Sequence, residues 1–428
     1  MRPLSALLPI FLACPSLFSA APSAAAIRTE VDRLYPDLDT LYQDLHRHPE
    51  LSGKEVKTAA KMAGQLRKSG FEVTTGVGGT GVVGVLRNGQ GPTLLLRTEL
   101  DALPVQEKTG LAYASEEPGI MHACGHDLHM TTWSGTAAVL ARLKDRWRGT
   151  VVMVGQPAEE TVGGARAMIK DGLFTRFPKP DFAVALHDIG NLPAGTVGGA
   201  EGFAFANVDS VDITLFGKGG HGARPNTTVD PIVLAARTVL ALQTIIAREK
   251  DPMEPGVVTV GSIHGGTKHN IIPDEVHLQL TVRSYAPAVR KQLLDAIVRI
   301  TRAEAVAAGA PKEPEITFSE GQDACYNDPA LTRRLVAVLG QGLGAGNVVV
   351  ARAEMGAEDF GEFGKAAGVP SVMLRLGAAE PGRTKAAQAS GEVLPSVHSA
   401  LFAPDREPSI KTGVETLVLC ALELMPAS

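Results

Sequence analysis

What the chain has little of narrows its reading first. It has no excess of positive charge: 41 Lys and Arg stand against 46 Asp and Glu, a formal net charge of -5 over 428 residues. No long basic run interrupts that balance, so no nucleic-acid partner is expected. Cysteine is scarce, with 4 residues, too few and too scattered for a disulfide-stapled domain. Beyond the N-terminus no segment reads as a membrane span, so stable membrane insertion is not expected. Internal repeats are absent. The only biased segment outside the N-terminus is "GAAEPGRTKAAQASGEV", read as a surface loop before His398.

What is present describes a folded, exported chain. With 44% hydrophobic and 20% charged residues the sequence can bury a large core, and its length suits two domains. The opening "MRPLSALLPIFLACPSLFSAAPSAAAIRTE" places one Arg before an apolar stretch and follows it with small residues. That is the layout of a signal peptide over 1–26, with cleavage expected near Ala26, and it predicts a periplasmic or secreted protein. Pro9 and Pro15 break the apolar run and argue against a membrane anchor. "FLAC", ending at Cys14, is an alternative lipoprotein signal with Phe11 where Leu is usual. Cys124, Cys325 and Cys420 remain after cleavage, and pairing of the last two is open.

Strands and helices alternate along the mature chain. Helical patterns run through "VDRLYPDLDTLYQDLHRHPE" and "EVKTAAKMAGQLRKSG", with Gly70 as the stop of the second. "GVVGVLR" and "PTLLLRTEL" are short apolar runs suited to buried strands of a mixed sheet. "GTVVMVGQPAEE" reads as a strand ending in acids, and "PDFAVALHDI" as one ending in His187. This alternation predicts an α/β/α sandwich with its chemistry at strand ends. Near Asn207 the pattern changes to strand, helix, strand, strand, helix, strand, the order of a ferredoxin-like α+β insertion. The expected layout is therefore a catalytic domain in two parts, 27–206 and 321–428, interrupted by a satellite domain over 207–320.

The densest chemistry lies in "MHACGHDLHM" (121–130). Gly125 between Cys124 and His126 lets both side chains face one ion, and thiolate plus imidazole suit zinc and neighbouring transition metals. Taken alone, a Cys-x-His pair at a helix start is equally a structural feature, and a nucleophilic cysteine is a third option. No local cysteine-protease signature surrounds Cys124. Glu159 and Glu160 close one predicted strand and His187 another, so acids and imidazoles can gather at one sheet edge. Neighbours at a strand end point apart, which allows one Glu to bind metal while the other acts as an acid/base group.

"MHACGHDLHM", "GQPAEE", "LHDI", "GKGGHGARP", "HNIIPDE", "GAEDF" and "HSALF" occur here in the order seen in the aminoacylase and carboxypeptidase family of co-catalytic metallopeptidases. The chain most resembles the branch containing hippurate hydrolase and the indole-acetyl-amino acid hydrolases, over nearly all of its mature length. The resemblance implies a two-metal centre of zinc, manganese or cobalt ligated by Cys124, His126, Glu160, His187 and His398, with Glu159 as general base. It further implies that Asp101 supports the ligands, and that His221 stabilises an oxyanion, often across a homodimer. Asn270 and Arg283 match satellite positions that hold the substrate's carboxylate or carbonyl. His122 and His129 are expected to orient ligands or pack the helix, and His46 and His48 to be structural. Thr98 and Glu99 stand where the branch usually shows Ala and Asp, Arg406 where an acid is common, and the loop before His398 is longer than the pattern.

The expected activity is metal-dependent cleavage of N-acyl amino acids to a carboxylic acid and a free amino acid. A dipeptidase or carboxypeptidase using the same metals is the alternative. A binding protein without catalysis belongs to another class, and Glu159 argues against it, because a binder has no need of a base beside a ligand.

Overall fold

The computed structural model describes residues 24–427. The expected leader lies outside the described residues as far as residue 23, Cys14 included; Ala24 to Ala26 begin the helix Ala24–Arg47.

An eight-stranded mixed sheet runs in the order Glu72–Val77, Gly81–Asn88, Gly149–Gln156, Thr93–Glu99, Phe182–Pro193, Ser371–Ala379, Val197–Gly199, Val348–Val350. Its middle four strands are parallel, so all four deliver their carboxyl ends to one edge, where α/β sheets place ligands. These strands are apolar along most of their length because both faces are covered. Ser371–Ala379, for instance, is buried at every residue. On one face lie Ala24–Arg47, His126–Arg142 and Arg406–Leu424, meeting the sheet through Leu38, Trp133, Val414 and Val418. On the other lie Gly164–Lys170 and Gly361–Ala367, packed through Ala165, Met168 and Phe363. The expected α/β/α sandwich is the observed one.

The inserted unit is a four-stranded antiparallel sheet in the order Gly256–Gly265, Glu275–Ser284, Asn207–Phe216, Glu315–Gln322. Val276, Leu278, Leu280 and Val282 alternate with exposed or half-buried residues, the period of a sheet covered on one face. The covering helices are Pro231–Thr244, continuing as Ile245–Glu249, and Pro287–Ala307. Asp230 starts the first of them by accepting from the N–H groups of Ile232 and Val233, with Pro231 at the first helical position.

Three expectations need correction or completion. The stretch before His398 is not loop throughout: Pro381–Ser390 is a helix, capped by the Glu380 carboxylate on Gly382 N–H (2.8 Å) and Arg383 N–H (2.7 Å). Its polar composition hid it, and the capping acid before a Pro was the available signal. By length and composition the helical run Pro231–Glu249 is apolar enough to cross a membrane, which the sequence reading missed; one face packs on the satellite sheet through Leu234, Ala235 and Leu242. Cys124, Cys325 and Cys420 are all free and buried, so Cys325 and Cys420 do not pair.

Candidate metal centre

The ligand-bearing turn starts from Gly125. It adopts φ 74°, ψ 15° just before the helix His126–Arg142, a left-handed conformation that glycine takes without strain. A Cβ there would sit 2.5 Å from Asp188 Oδ1. Gly125→Ala is therefore expected to lower stability by roughly 1–3 kcal/mol and to weaken metal retention by displacing Cys124 and His126. Urea melts and metal content after dialysis check this, and an unchanged protein would contradict the tight approach.

Two imidazoles present the same nitrogen to the cluster. His126 Nδ1 donates to the Asp101 carbonyl at 2.8 Å and His187 Nδ1 to the Asp188 carbonyl at 2.8 Å. These bonds fix the tautomers and leave both Nε2 lone pairs free to ligate. His187 Nε2 lies 3.6 Å from Cys124 Sγ. His126 Nε2 lies 3.9 Å from both Glu159 Oε2 and Glu160 Oε1, and His398 Nε2 lies 3.5 Å from Glu160 Oε1. His398 enters from a separate loop in a left-handed conformation (φ 68°), its N–H bonded to the Ala123 carbonyl at 2.7 Å.

This donor set fits divalent cations. Cys124, His126 and His187 form one group and Cys124, Glu160 and His398 another, with the donor atoms of each within 4.8 Å of one another. His126 Nε2 and Glu160 Oε1 are buried without a hydrogen-bond partner, a costly arrangement unless a cation completes it. Burial, reinforced by the Glu160 charge, pushes the Cys124 thiol well up, so it is not an activated nucleophile; a cation would convert it to thiolate. Burial, reinforced by the neighbouring His129, holds His187 well below the usual imidazole range, in the neutral form that ligates. Glu159 is almost fully buried, and burial together with Glu358 and Glu160 raises its carboxyl well above the ordinary range.

Behind the cluster stands a polar layer that the sequence revealed only in part. Asp101 Oδ2 accepts from Ser52 Oγ (2.6 Å) and from Glu160 N–H (3.0 Å), tying the His126 support to the Glu160 backbone. His129 lies against Glu99 (3.0 Å) and Asp188 (2.9 Å). Burial opposes its protonation, but the two carboxylates outweigh burial and raise it to about 9. Both its nitrogens are engaged in these bonds, so it orients rather than ligates. His122 is buried with neither ring nitrogen bonded. Deeper still, Arg97 donates to Gln156 (2.8 Å) and Glu358 (2.7 Å), reaches Asp359 (3.2 Å), and also contacts Glu99. Arg97, Gln156 and Glu358 carried no sequence expectation. "GAEDF" marked the acids but gave no hint that an arginine 261 residues away holds them.

His46 joins this layer from the first helix, 2.7 Å from Asp127 and 3.3 Å from Glu107. Burial lowers its affinity for a proton, but the two carboxylates override burial and raise it to about 9. Because the folded-state value lies above the unfolded one (about 6.5), the added stability is fully present below pH ~6.5 and is lost as pH rises through about 9. The stability gap between wild type and His46→Asn should thus shrink by ~3 kcal/mol between those limits. Chemical denaturation across pH measures it, and a pH-independent gap would contradict the ion-pair assignment.

The cluster opens into a cleft of ≈ 750 Å³, whose wall includes Ile189, Phe205, Val208 and Met355. Arg283, from the satellite strand Glu275–Ser284, lines the same cleft and donates to the Met355 carbonyl at 3.3 Å. Cys124, His126, Glu159, Glu160, His187 and His398 thus come together with Asp101 behind them, and Arg283 shares their cleft. His221 and Asn270 do not: both are exposed beside the short satellite ladder Gly220–His221 with Ile271–Ile272, where Gly222 N–H bonds the Asn270 carbonyl at 2.9 Å. Arg406, the departure from the acidic pattern, is structural: its Nε bonds Asp39 at 2.5 Å and its guanidinium lies 5.0 Å from the Tyr113 ring centre.

Comparison with known proteins gives a consistent picture. Residues 95–401 match the model of peptidase family M20/M25/M40. A probable hydrolase of Synechocystis sp. is 38% identical over 88% of this chain and 93% of its own. Thermostable carboxypeptidase 1 of Saccharolobus solfataricus is 36% identical over 89% of this chain and 93% of its own. Hippurate hydrolase of Campylobacter jejuni is 40% identical over 60% of this chain and 67% of its own. Among solved structures, a dinuclear metal-binding peptidase of Bacillus subtilis superposes with TM-score 0.75 at 27% identity, covering 94% of this chain and 99% of that one. A chain from methicillin-resistant Staphylococcus aureus superposes with TM-score 0.82 at 31% identity, over 93% and 99%.

Proposed function

The chain belongs to peptidase family M20/M25/M40, and on that premise we propose that it hydrolyses N-acyl amino acids, with Cys124, His126, Glu160, His187 and His398 holding two divalent cations. The observation that carries the reading is the Glu159–Glu160 pair, both carboxylates 3.9 Å from His126 Nε2. One acid of the pair is placed to ligate and the other is free to handle protons.

Bound there, the cations supply Lewis-acid polarisation of the scissile carbonyl. The chain's own residues do the rest. Glu159, whose raised carboxyl readily takes a proton, removes one from the attacking water and returns it to the amide nitrogen as the C–N bond breaks. Arg283, which lines the cleft, is suited to grip the substrate's carboxylate. The apolar wall around Phe205 and Met355 excludes water from the acyl side.

The reading includes a homodimer. Val233 and Leu240 leave an apolar stripe on the satellite helix, beside the edge strand Gly256–Gly265 with Ile263 half exposed, and such surfaces favour burial against a second copy. His221, exposed and not part of the cleft wall within one chain, then supplies an oxyanion donor to its partner's site. It also includes export, supported by the leader-like composition of 1–26.

The test is a panel of N-acyl amino acids and free-amine dipeptides incubated with the metal-loaded mature chain and read by mass spectrometry. Release from the blocked substrates is expected. Release only from free-amine dipeptides would replace this reading with a dipeptidase, the chemistry nearer to the carboxypeptidase relatives.

A further inference from the structure

A buried cation stands behind the cleft wall. Arg375 belongs to the sheet strand Ser371–Ala379, whose other residues are uncharged and all buried. It is 2% exposed, yet its one hydrogen bond runs from Nη2 to the Ala204 carbonyl at 2.9 Å, and Nε and Nη1 have no partner among the described residues. Leaving two donors of a buried guanidinium unmet costs stability, and methionine or leucine would fill a sheet interior without that cost. An arginine kept there needs a compensating role.

What the guanidinium touches is Phe205. Its central carbon lies 3.6 Å from the centre of the Phe205 ring, well within reach of a cation–π contact. Its single hydrogen bond goes to the carbonyl of the peptide that leads into the same residue. Phe205 is thus held by ring and by backbone. The Ala204 carbonyl also accepts from Glu354 N–H at 3.0 Å, and Ala206 N–H donates to the Glu354 and Gly356 carbonyls at 3.2 and 2.8 Å. The hold therefore falls where the strand Gly202–Phe205 joins the segment bearing Met355, and Phe205 and Met355 both line the cleft. Arg375 is moreover the register partner of His187 on the neighbouring parallel strand, so both side chains leave the same face of the sheet. The Phe205 ring centre lies 5.7 Å from that of His187, the two planes tilted by 59°.

We propose that Arg375 is a positioning residue: it fixes the Phe205 ring beside the metal ligand His187 and so sets how well the cleft discriminates among acyl groups. This rests on the reading of the cleft as an amide-hydrolysing site. With a cation on the ring and the preceding carbonyl clamped, the wall keeps one shape, and a wall of fixed shape selects among the groups that reach it. Phe205 has no polar atom to act on the reacting amide, so its part lies in binding. Arg375 acts only through that ring.

The experiment compares kcat and KM of the metal-loaded mature chain on the N-benzoyl and N-acetyl derivatives of one amino acid. The proteins are wild type, Arg375→Met, Arg375→Lys, Phe205→Leu and the Arg375→Met/Phe205→Leu pair. Binding of benzohydroxamate and acetohydroxamate, which share a metal-chelating head, is measured alongside by calorimetry. Arg375→Met, folded and with wild-type metal content, is expected to lower the benzoyl-to-acetyl ratio of kcat/KM by about fivefold, chiefly through KM for the benzoyl substrate. Arg375→Lys keeps the charge but cannot hold ring and carbonyl together, so the ratio should fall by less. The double variant should match Phe205→Leu alone. A wild-type ratio in either folded Arg375 variant, or losses that add in the pair, would overturn the proposal. Should the methionine variant unfold or lose metal, the lysine variant decides. If no N-acyl amino acid is turned over, the amide-hydrolysis reading fails, and the benzo-to-acetohydroxamate affinity ratio judges Arg375 on the same terms.

Discussion

Glu159→Gln is expected to lower kcat on any N-acyl amino acid the protein turns over by roughly 10²–10⁴-fold, the usual contribution of a positioned acid/base group. Bound metal and the melting temperature should stay as in the wild type. Glutamine keeps the shape of the side chain in a site where Glu159 is almost fully buried, yet it can neither take a proton from water nor return one. Unchanged kcat with unchanged metal content would mean that another group handles the proton.

Arg97→Met should have the largest effect on folding. Arg97 is the cation against which Glu99, Glu358 and Asp359 are buried, and burial already pushes Glu358 up to about 7 despite the guanidinium. Removing one partner of a buried ion pair costs about 3–5 kcal/mol, because the remaining charges stay desolvated. The loss should be larger at pH 8 than at pH 6, where protonation of Glu358 relieves it. Equilibrium denaturation at the two pH values measures both effects. A loss below 1 kcal/mol on the order of a surface substitution would show that the acids are protonated or hydrated without Arg97.

The chain shows why some of this architecture is legible in sequence and some is not. Buried parallel strands such as Thr93–Glu99 and Gly149–Gln156 are short apolar runs ended by polar residues, and the residues that end them sit at the sheet edge where chemistry gathers. The same holds for "CGH", since one left-handed glycine beside two metal-competent side chains constrains geometry by itself. What escapes notice depends on long-range closure. The Arg97 network joins residues 261 apart in sequence, and the Asp101 carboxylate reaches Glu160 N–H across 59. No local spacing encodes such partners. His221 and Asn270 mark the other limit: their motifs are clear, but within one chain the fold leaves them exposed and away from the cleft wall.

The central claim is that the cysteine, histidine and glutamate cluster works by holding a pair of divalent cations for amide hydrolysis. It is tested most directly by stripping the purified mature chain with a chelator, then reloading it stepwise with zinc, manganese or cobalt. Metal per chain and amide release from N-acyl amino acids are read in the same aliquots. The account predicts that the stripped chain is inactive but folded, and that hydrolysis returns as the second equivalent binds. Full activity in the metal-free chain, or a fully loaded chain that releases nothing from any linear amide, would contradict it.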